Sequence, residues 1–125
     1  MICFENNREY ILRQAEYSQF SDYTSPILGE DEELLAVCQT LQDGMIFTDR
    51  RVIAVDIQGM LGTQADVCSL YYRTVRSFAF DIEDNYSVLD FFLAGDKTVR
   101  FRFDFPGMDI SILATVLSRF TLNQQ

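Results

Sequence analysis

Between Thr98 and Phe105 the chain alternates strictly, with Val99, Phe101, Phe103 and Phe105 on one side and Thr98, Arg100, Arg102 and Asp104 on the other. A helix cannot gather that pattern onto one face. A strand does so automatically, because successive side chains point to opposite surfaces. The segment therefore demands a sheet with one dry face and one wet face, and Pro106-Gly107 ends it.

Six further runs precede it and read as strands: Leu34–Leu41, Met45–Thr48, Arg51–Ile57, Ala65–Tyr72, Thr74–Ile82 and Tyr86–Ala94. Gln42-Asp43-Gly44, Asp49-Arg50, Glu83-Asp84-Asn85 and Gly95-Asp96 supply the turns, and Gln58–Gln64 is a loop with two glycines. Behind the last strand, Ile112, Leu113, Val116, Leu117 and Phe120 fall at helical spacing. A helix from Asp109 to Phe120 follows, with Asp109 as its cap and Arg119 suited to its last turn. Seven strands and this helix predict a mainly β fold, an antiparallel barrel or sandwich closed at one end by the C-terminal helix.

The N-terminal stretch reads differently. Glu5–Phe20 is rich in Glu, Gln, Arg, Leu and Ala, which predicts a helix. Its apolar residues (Tyr10, Ile11, Leu12, Ala15, Tyr17, Phe20) spread around the circumference without a single stripe. Ser21–Pro26 reads as a linker and Glu30-Asp31-Glu32-Glu33 as a solvated acidic run. The expected division is residues 1–26, helix and linker, then residues 27–125, the β domain.

Charge and composition narrow the function classes. The 125 residues carry a net charge of −9, and nine of the ten basic residues are arginine. Such an excess repels phosphate, so nucleic acid is excluded as a non-specific partner and anionic lipid is disfavoured. With no histidine in the chain, the Ser-His and Cys-His nucleophile systems are absent. Cys3, Cys38 and Cys68 are too far apart for a paired metal or redox motif. Cys38 and Cys68 read as small buried residues, and Cys3 as a terminal thiol without a role. Their odd number and the lack of an apolar run after Met1-Ile2-Cys3-Phe4 lead to the expectation of a reducing, cytoplasmic setting. Gly59-Met60-Leu61-Gly62 lacks the third glycine of a dinucleotide loop and reads as a turn. No catalytic residue, metal site or cofactor is expected.

The most specific stretch is Asp43-Gly44-Met45-Ile46-Phe47-Thr48-Asp49-Arg50-Arg51-Val52-Ile53, followed by Val55-Asp56-Ile57-Gln58-Gly59-Met60-Leu61-Gly62, then Tyr72-Arg73-Thr74-Val75 and Ser77-Phe78. This order of pieces resembles the bacterial pleckstrin-homology domain family over about Leu28 to Phe120. Thr63 and Gln64 stand where the family usually has two lysines, Tyr71 stands in place of a proline, and Glu83–Ser87 is shorter than usual. The resemblance implies a PH-like barrel and a habit of forming homo-oligomers, rings among them.

Two surfaces follow as candidates. If Leu89, Phe91 and Leu93 face the core, Val88 and Phe92 point outward and need a cover. In the same way Val52 and Ala54 lie opposite Ile53, Val55 and Ile57. Val88, Phe92, Val52 and Ala54 are therefore candidate subunit contacts, with cover from a terminal helix as the competing reading. The second surface is cationic: Arg50 and Arg51 at a hairpin tip, Arg73 and Arg76 beside the fifth strand, and Arg100 and Arg102 on the wet face of the seventh. Arginine forks suit carboxylate and phosphate. These six fit either an anion or acidic-peptide site or ion pairs with the chain's own acids. The function expected is a non-enzymatic, self-associating binding module, possible partners being copies of itself or another protein.

Overall fold

The computed structural model describes residues 4–58, 64–106 and 110–123. The Gly59–Gly62 turn, the Asp109 cap and Cys3 lie outside them. The described chain forms β1 (Arg8–Gln14), a 3-10 turn (Tyr17–Gln19), α1 (Ser21–Thr24), β2 (Leu34–Gln39), β3 (Asp43–Thr48), β4 (Arg51–Gln58) and β5 (Gln64–Tyr71). A 3-10 turn (Tyr72–Thr74), β6 (Ser77–Ile82), β7 (Ser87–Leu93), β8 (Lys97–Phe103) and α2 (Ile110–Asn123) complete it.

The strands join in one sheet in the order β5-β4-β3-β2-β1-β8-β7-β6. It curls around a shared core. Tyr10 and Leu12 of β1, Met45 and Phe47 of β3, Phe101 and Phe103 of β8, and Leu113 and Leu117 of α2 belong to one buried cluster. Phe101 lies at the centre of the aromatic packing, with the rings of Phe47 and Phe91 both edge-on at 5.3 Å. The mainly β architecture with a closing C-terminal helix is as the strand pattern predicts, but with eight strands rather than seven.

The additional strand corrects the N-terminal reading. Residues 8–14 form β1, which pairs parallel with β8 and antiparallel with β2. The expected helix over Glu5–Phe20 is absent because Tyr10 and Leu12 are buried while Glu9, Ile11 and Arg13 are exposed, a period of two. The missing helical stripe was the trace of that alternation, and packing between two strands overrides helix-favouring composition. Ser21–Pro26 is no plain linker, since it contains the single turn of α1. The expected division at residue 26 thus has β1 in the middle of the same sheet as the strands after residue 34.

Two smaller differences have local causes. Gly44 is a strand residue, not a turn residue; a Cβ there would meet the Phe20 ring at 2.6 Å. The bend is made instead at Thr40, whose Oγ1 accepts from the N–H of Gln42 and of Asp43. Helix α2 runs on to Asn123, so Arg119 is not in its last turn.

Candidate assembly surface and arginine sites

The two faces of β4 are both buried, which corrects two of the expected contacts. Val52 is 0% and Ala54 1% exposed, and both face the main core. They are not available to a neighbour. Opposite them, Ile53 and Val55 form a second cluster with Ile46 and Phe20, joined by Tyr17 and Leu28. The segment from Ala15 to Leu28 is therefore the cover for the outer face of β3 and β4.

That cover is clamped by a buried ion pair. Arg51 donates from Nε and one terminal nitrogen to the two carboxylate oxygens of Glu32, each at 2.9 Å. Its remaining donors reach Ser69 Oγ, Tyr71 Oη and the Ile27 carbonyl. All five N–H groups of the guanidinium are thus occupied, and Arg51 cannot serve an external anion. The Glu32 side chain is 2% exposed, so the acidic run is not uniformly solvated. Burial alone would raise its pKa, but hydrogen bonds from Arg51, the Thr48 hydroxyl and the Gly29 N–H hold it down at about 2. Nothing in a run of four acids singles out the one that turns inward.

The other half of the sheet has no such cover. Register places Ala79, Asp90, Arg100 and Glu9 side by side across β6, β7, β8 and β1. On one side of this row lie Ser77, Phe92 and Thr98; on the other lie Asp81, Val88, Arg102 and Ile11. Val88 and Phe92 therefore do point outward together, as expected, with Phe92 37% exposed. Ile11 joins them at 52% exposure. It was missed because the helix reading of Glu5–Phe20 hid its alternation with Tyr10 and Leu12. Between the apolar residues, Arg100 is held by Asp90 at 2.7 and 3.1 Å and lies 3.9 Å from Glu9. Arg102 reaches Asp104 at 3.4 Å and lies over the Tyr86 ring at 4.1 Å. These two arginines pair with the chain's own acids on the wet face.

The remaining arginines divide. Arg76 is exposed at the start of β6. Arg50 turns away from Arg51, forms an exposed salt bridge with Asp31 at 2.8 Å, and borders two adjoining clefts. One, of about 260 Å³, is lined by Asp49, Arg50, Val116, Arg119 and Phe120. The other, of about 310 Å³, is lined by Arg50, Tyr71, Arg73 and Phe120. They share Arg50 and Phe120 and form one trench with three arginines on its walls. Arg119 enters a cationic site that was read only as a helix-end charge.

An aspartate row marks the opposite end of the barrel. Asp43, Asp56 and Asp66 are direct cross-strand neighbours on β3, β4 and β5. Burial, together with the charge and hydrogen bond of Asp56, raises the Asp43 pKa against the pull of Arg8. Among the described residues no group of histidine, cysteine and acidic side chains is arranged to hold a metal. Cys38 is buried and its thiol is pushed up to about 12 by burial, so it is inert; Cys68 is half-buried. Among the described residues no helix is long and apolar enough to cross a membrane.

Comparison with known proteins places this arrangement. The model of the family described as bacterial PH domain matches residues 6–121. A stretch of 55 residues is 34% identical to the uncharacterized protein YjqA of Bacillus subtilis (strain 168), covering 44% of each chain, so less than half of that relative's length is matched. Among solved structures, a DUF1696 family protein with a pleckstrin-homology domain from Shewanella loihica PV-4 superposes with a TM-score of 0.62 at 20% identity. That match covers 90% of this chain and 98% of the other. A PH-domain-containing protein from Exiguobacterium sibiricum 255-15 gives 0.58 at 17% identity, over 91% of this chain and 64% of the other. A pleckstrin homology domain from Shewanella amazonensis SB2B gives 0.52 at 23%, over 87% and 90%. At these identities the structural likeness speaks for the fold.

Proposed function

This chain belongs to the bacterial PH domain family, and from that premise we propose that it is a non-enzymatic module that assembles with copies of itself through the outer face of β6, β7, β8 and β1. One observation carries the reading. The outer face of β3 and β4 is sealed by residues of the same chain, while the corresponding face around β7 leaves Phe92 and Ile11 in water. Apolar side chains left uncovered on an open sheet face suit a subunit contact. The mixed character of the face, with Arg100 already neutralised by Asp90 at its centre, suits a contact that must also persist in water before assembly. The net charge of −9 favours a protein partner over nucleic acid or anionic lipid. A cytoplasmic setting belongs to the same proposal and rests on the free thiols of Cys38 and Cys68. The lack of histidine supports a binding role over catalysis.

The test is the solution mass of the purified chain at two concentrations by light scattering on a sizing column. The expected result is a mass of several chains that drops to that of one chain in Phe92→Glu, with the circular dichroism spectrum unchanged. A single-chain mass for the unaltered protein at both concentrations would overturn the proposal.

A further inference from the structure

The sheet ends at β5 on one side and at β6 on the other. The single turn of α1 packs against β5. The β6 edge is barer. Glu83 donates its N–H to the Tyr86 carbonyl, and the register running from Ser77↔Phe92 to Ile82↔Ser87 then makes the odd residues of β6 those that bond to β7. Phe78, Phe80 and Ile82 therefore turn their N–H and C=O groups to the free edge, where nothing among the described residues bonds to them. The Phe78 and Phe80 side chains pack inward on the cluster that holds Leu113 and Leu117 of α2. Ser77, Ala79, Asp81 and Ile82 are exposed. The strand holds neither lysine nor proline, the residues that usually guard such an edge.

Charge says what fits it. Arg76 precedes the strand, and Glu83 and Asp84 follow it. All three are exposed, and none of them takes part in an ion pair among the described residues. An edge that is positive at its start and negative at its end is complemented by the same strand run the other way.

We infer that β6 of one copy pairs antiparallel with β6 of a second copy, about a twofold axis at Phe80. In that register Phe78 bonds to Ile82 of the second copy, Phe80 to Phe80, and Ile82 to Phe78, so every free residue of both edges is used. Arg76 of each copy comes level with Asp84 of the other, and Asp81 stands opposite Ala79. Sliding by two residues either sets Asp81 against Asp81 or puts Arg76 beside Ile82, so charge selects the register. The inference rests on the self-assembly proposed above and adds a second contact to it. An edge of 6 residues is far smaller than the roughly 20–30 residues a side of a standard interface. The ladder therefore forms only where the outer faces already hold copies together. Being twofold, it doubles whatever those faces build, and the particle holds an even number of chains.

Cysteines report the register. Ala79 of one copy and Asp81 of the other form a non-hydrogen-bonded pair with Cα atoms about 4.5 Å apart, within the span of a disulfide. The two Ala79 residues are out of step by two positions, roughly 8 Å apart and beyond that span. Both positions are exposed, and circular dichroism checks that the variants fold. A chain carrying Ala79→Cys and Asp81→Cys is expected to run as two linked chains on a gel without reductant after oxidation. Either substitution alone is expected to leave single chains. No linked band from the double variant, or equal bands from the single ones, overturns the inference. Hydrogen exchange reads the same contact in the unaltered protein. The amides of Phe78, Phe80 and Ile82 are expected to exchange at least about tenfold more slowly in the assembly than in Phe92→Glu; equal rates count against the ladder, as does an odd number of chains by light scattering. A single-chain mass for the unaltered protein removes the self-assembly proposal and the ladder together. A multi-chain mass without the linked band removes the ladder alone.

Discussion

The two outer faces of this curled sheet start from similar material and end differently. Around β3 and β4, Ile46, Ile53 and Val55 are fully buried beneath Phe20 and its neighbours. Around β7 and β8, Phe92 and Ile11 remain in solvent, and the row between them is charged. The first face is aliphatic over most of its length and could not exist uncovered. The second is half polar and can. The covering segment takes the face where the transfer free energy is larger, at roughly 25 cal/mol per Å² of apolar surface.

The strongest way to break this asymmetry is to remove the clamp. Glu32→Ala leaves the Arg51 guanidinium buried without its partner, a change that costs about 3–5 kcal/mol in comparable buried pairs. Urea unfolding is expected to show that loss. Acid should reproduce it in the unaltered protein. The folded-state pKa of Glu32, about 2, lies below its ordinary 4.5. Its contribution is therefore complete above about pH 4.5 and fades as pH falls toward 2.

A matched pair of truncations sharpens the contrast. Phe20→Ala, under the cover, is expected to cost about 3 kcal/mol, since the ring packs on Gly44 and leaves a cavity behind. Phe92→Ala, on the open face, should stay within roughly 0.5 kcal/mol when measured on the dissociated chain. Equal losses at both sites would mean that the two faces are covered alike.

The smallest expected effect is a gain. Asp43 binds its proton more tightly in the folded state than in the unfolded one, because burial and then the neighbouring Asp56 raise its pKa, with Arg8 opposing. Stability therefore declines as pH rises from about 4 through the raised value. Asp43→Asn is expected to stabilise the protein at pH 7 by less than about 1 kcal/mol, the scale of a like-charge cross-strand pair. The gain should vanish below pH 4, where Asp43 is protonated in both states; thermal melts across that range decide it.

Legibility in the sequence followed the range of the interaction. The strands from Leu34 to Phe103 and the stripe of α2 declared themselves through local periodicity. The strand β1 did not, since its helix-favouring composition concealed a period of two that only its neighbours β2 and β8 enforce. The outward pair Val88 and Phe92 was legible from alternation alone, but Val52 and Ala54 were assigned to the wrong side. Both faces of β4 are apolar, and nothing local says which one looks into the barrel. The arginines were easy to find and hard to assign. Arg51 and Arg50 are adjacent, yet one is locked inside by Glu32 and the other faces the trench. That difference depends on where residues 27–32 return in space.

The position of β1 also governs the order of events during synthesis. β2 to β5 are successive antiparallel neighbours, and β6 to β8 likewise, so each group can zip up locally. They are joined through β1, whose partner β8 is made some ninety residues later: Asn6 accepts from the N–H of Thr98, 92 positions away. The earliest-made of these strands must therefore wait with an unpaired edge until β8 has left the ribosome, and closing so long a loop makes its docking the slow step of folding.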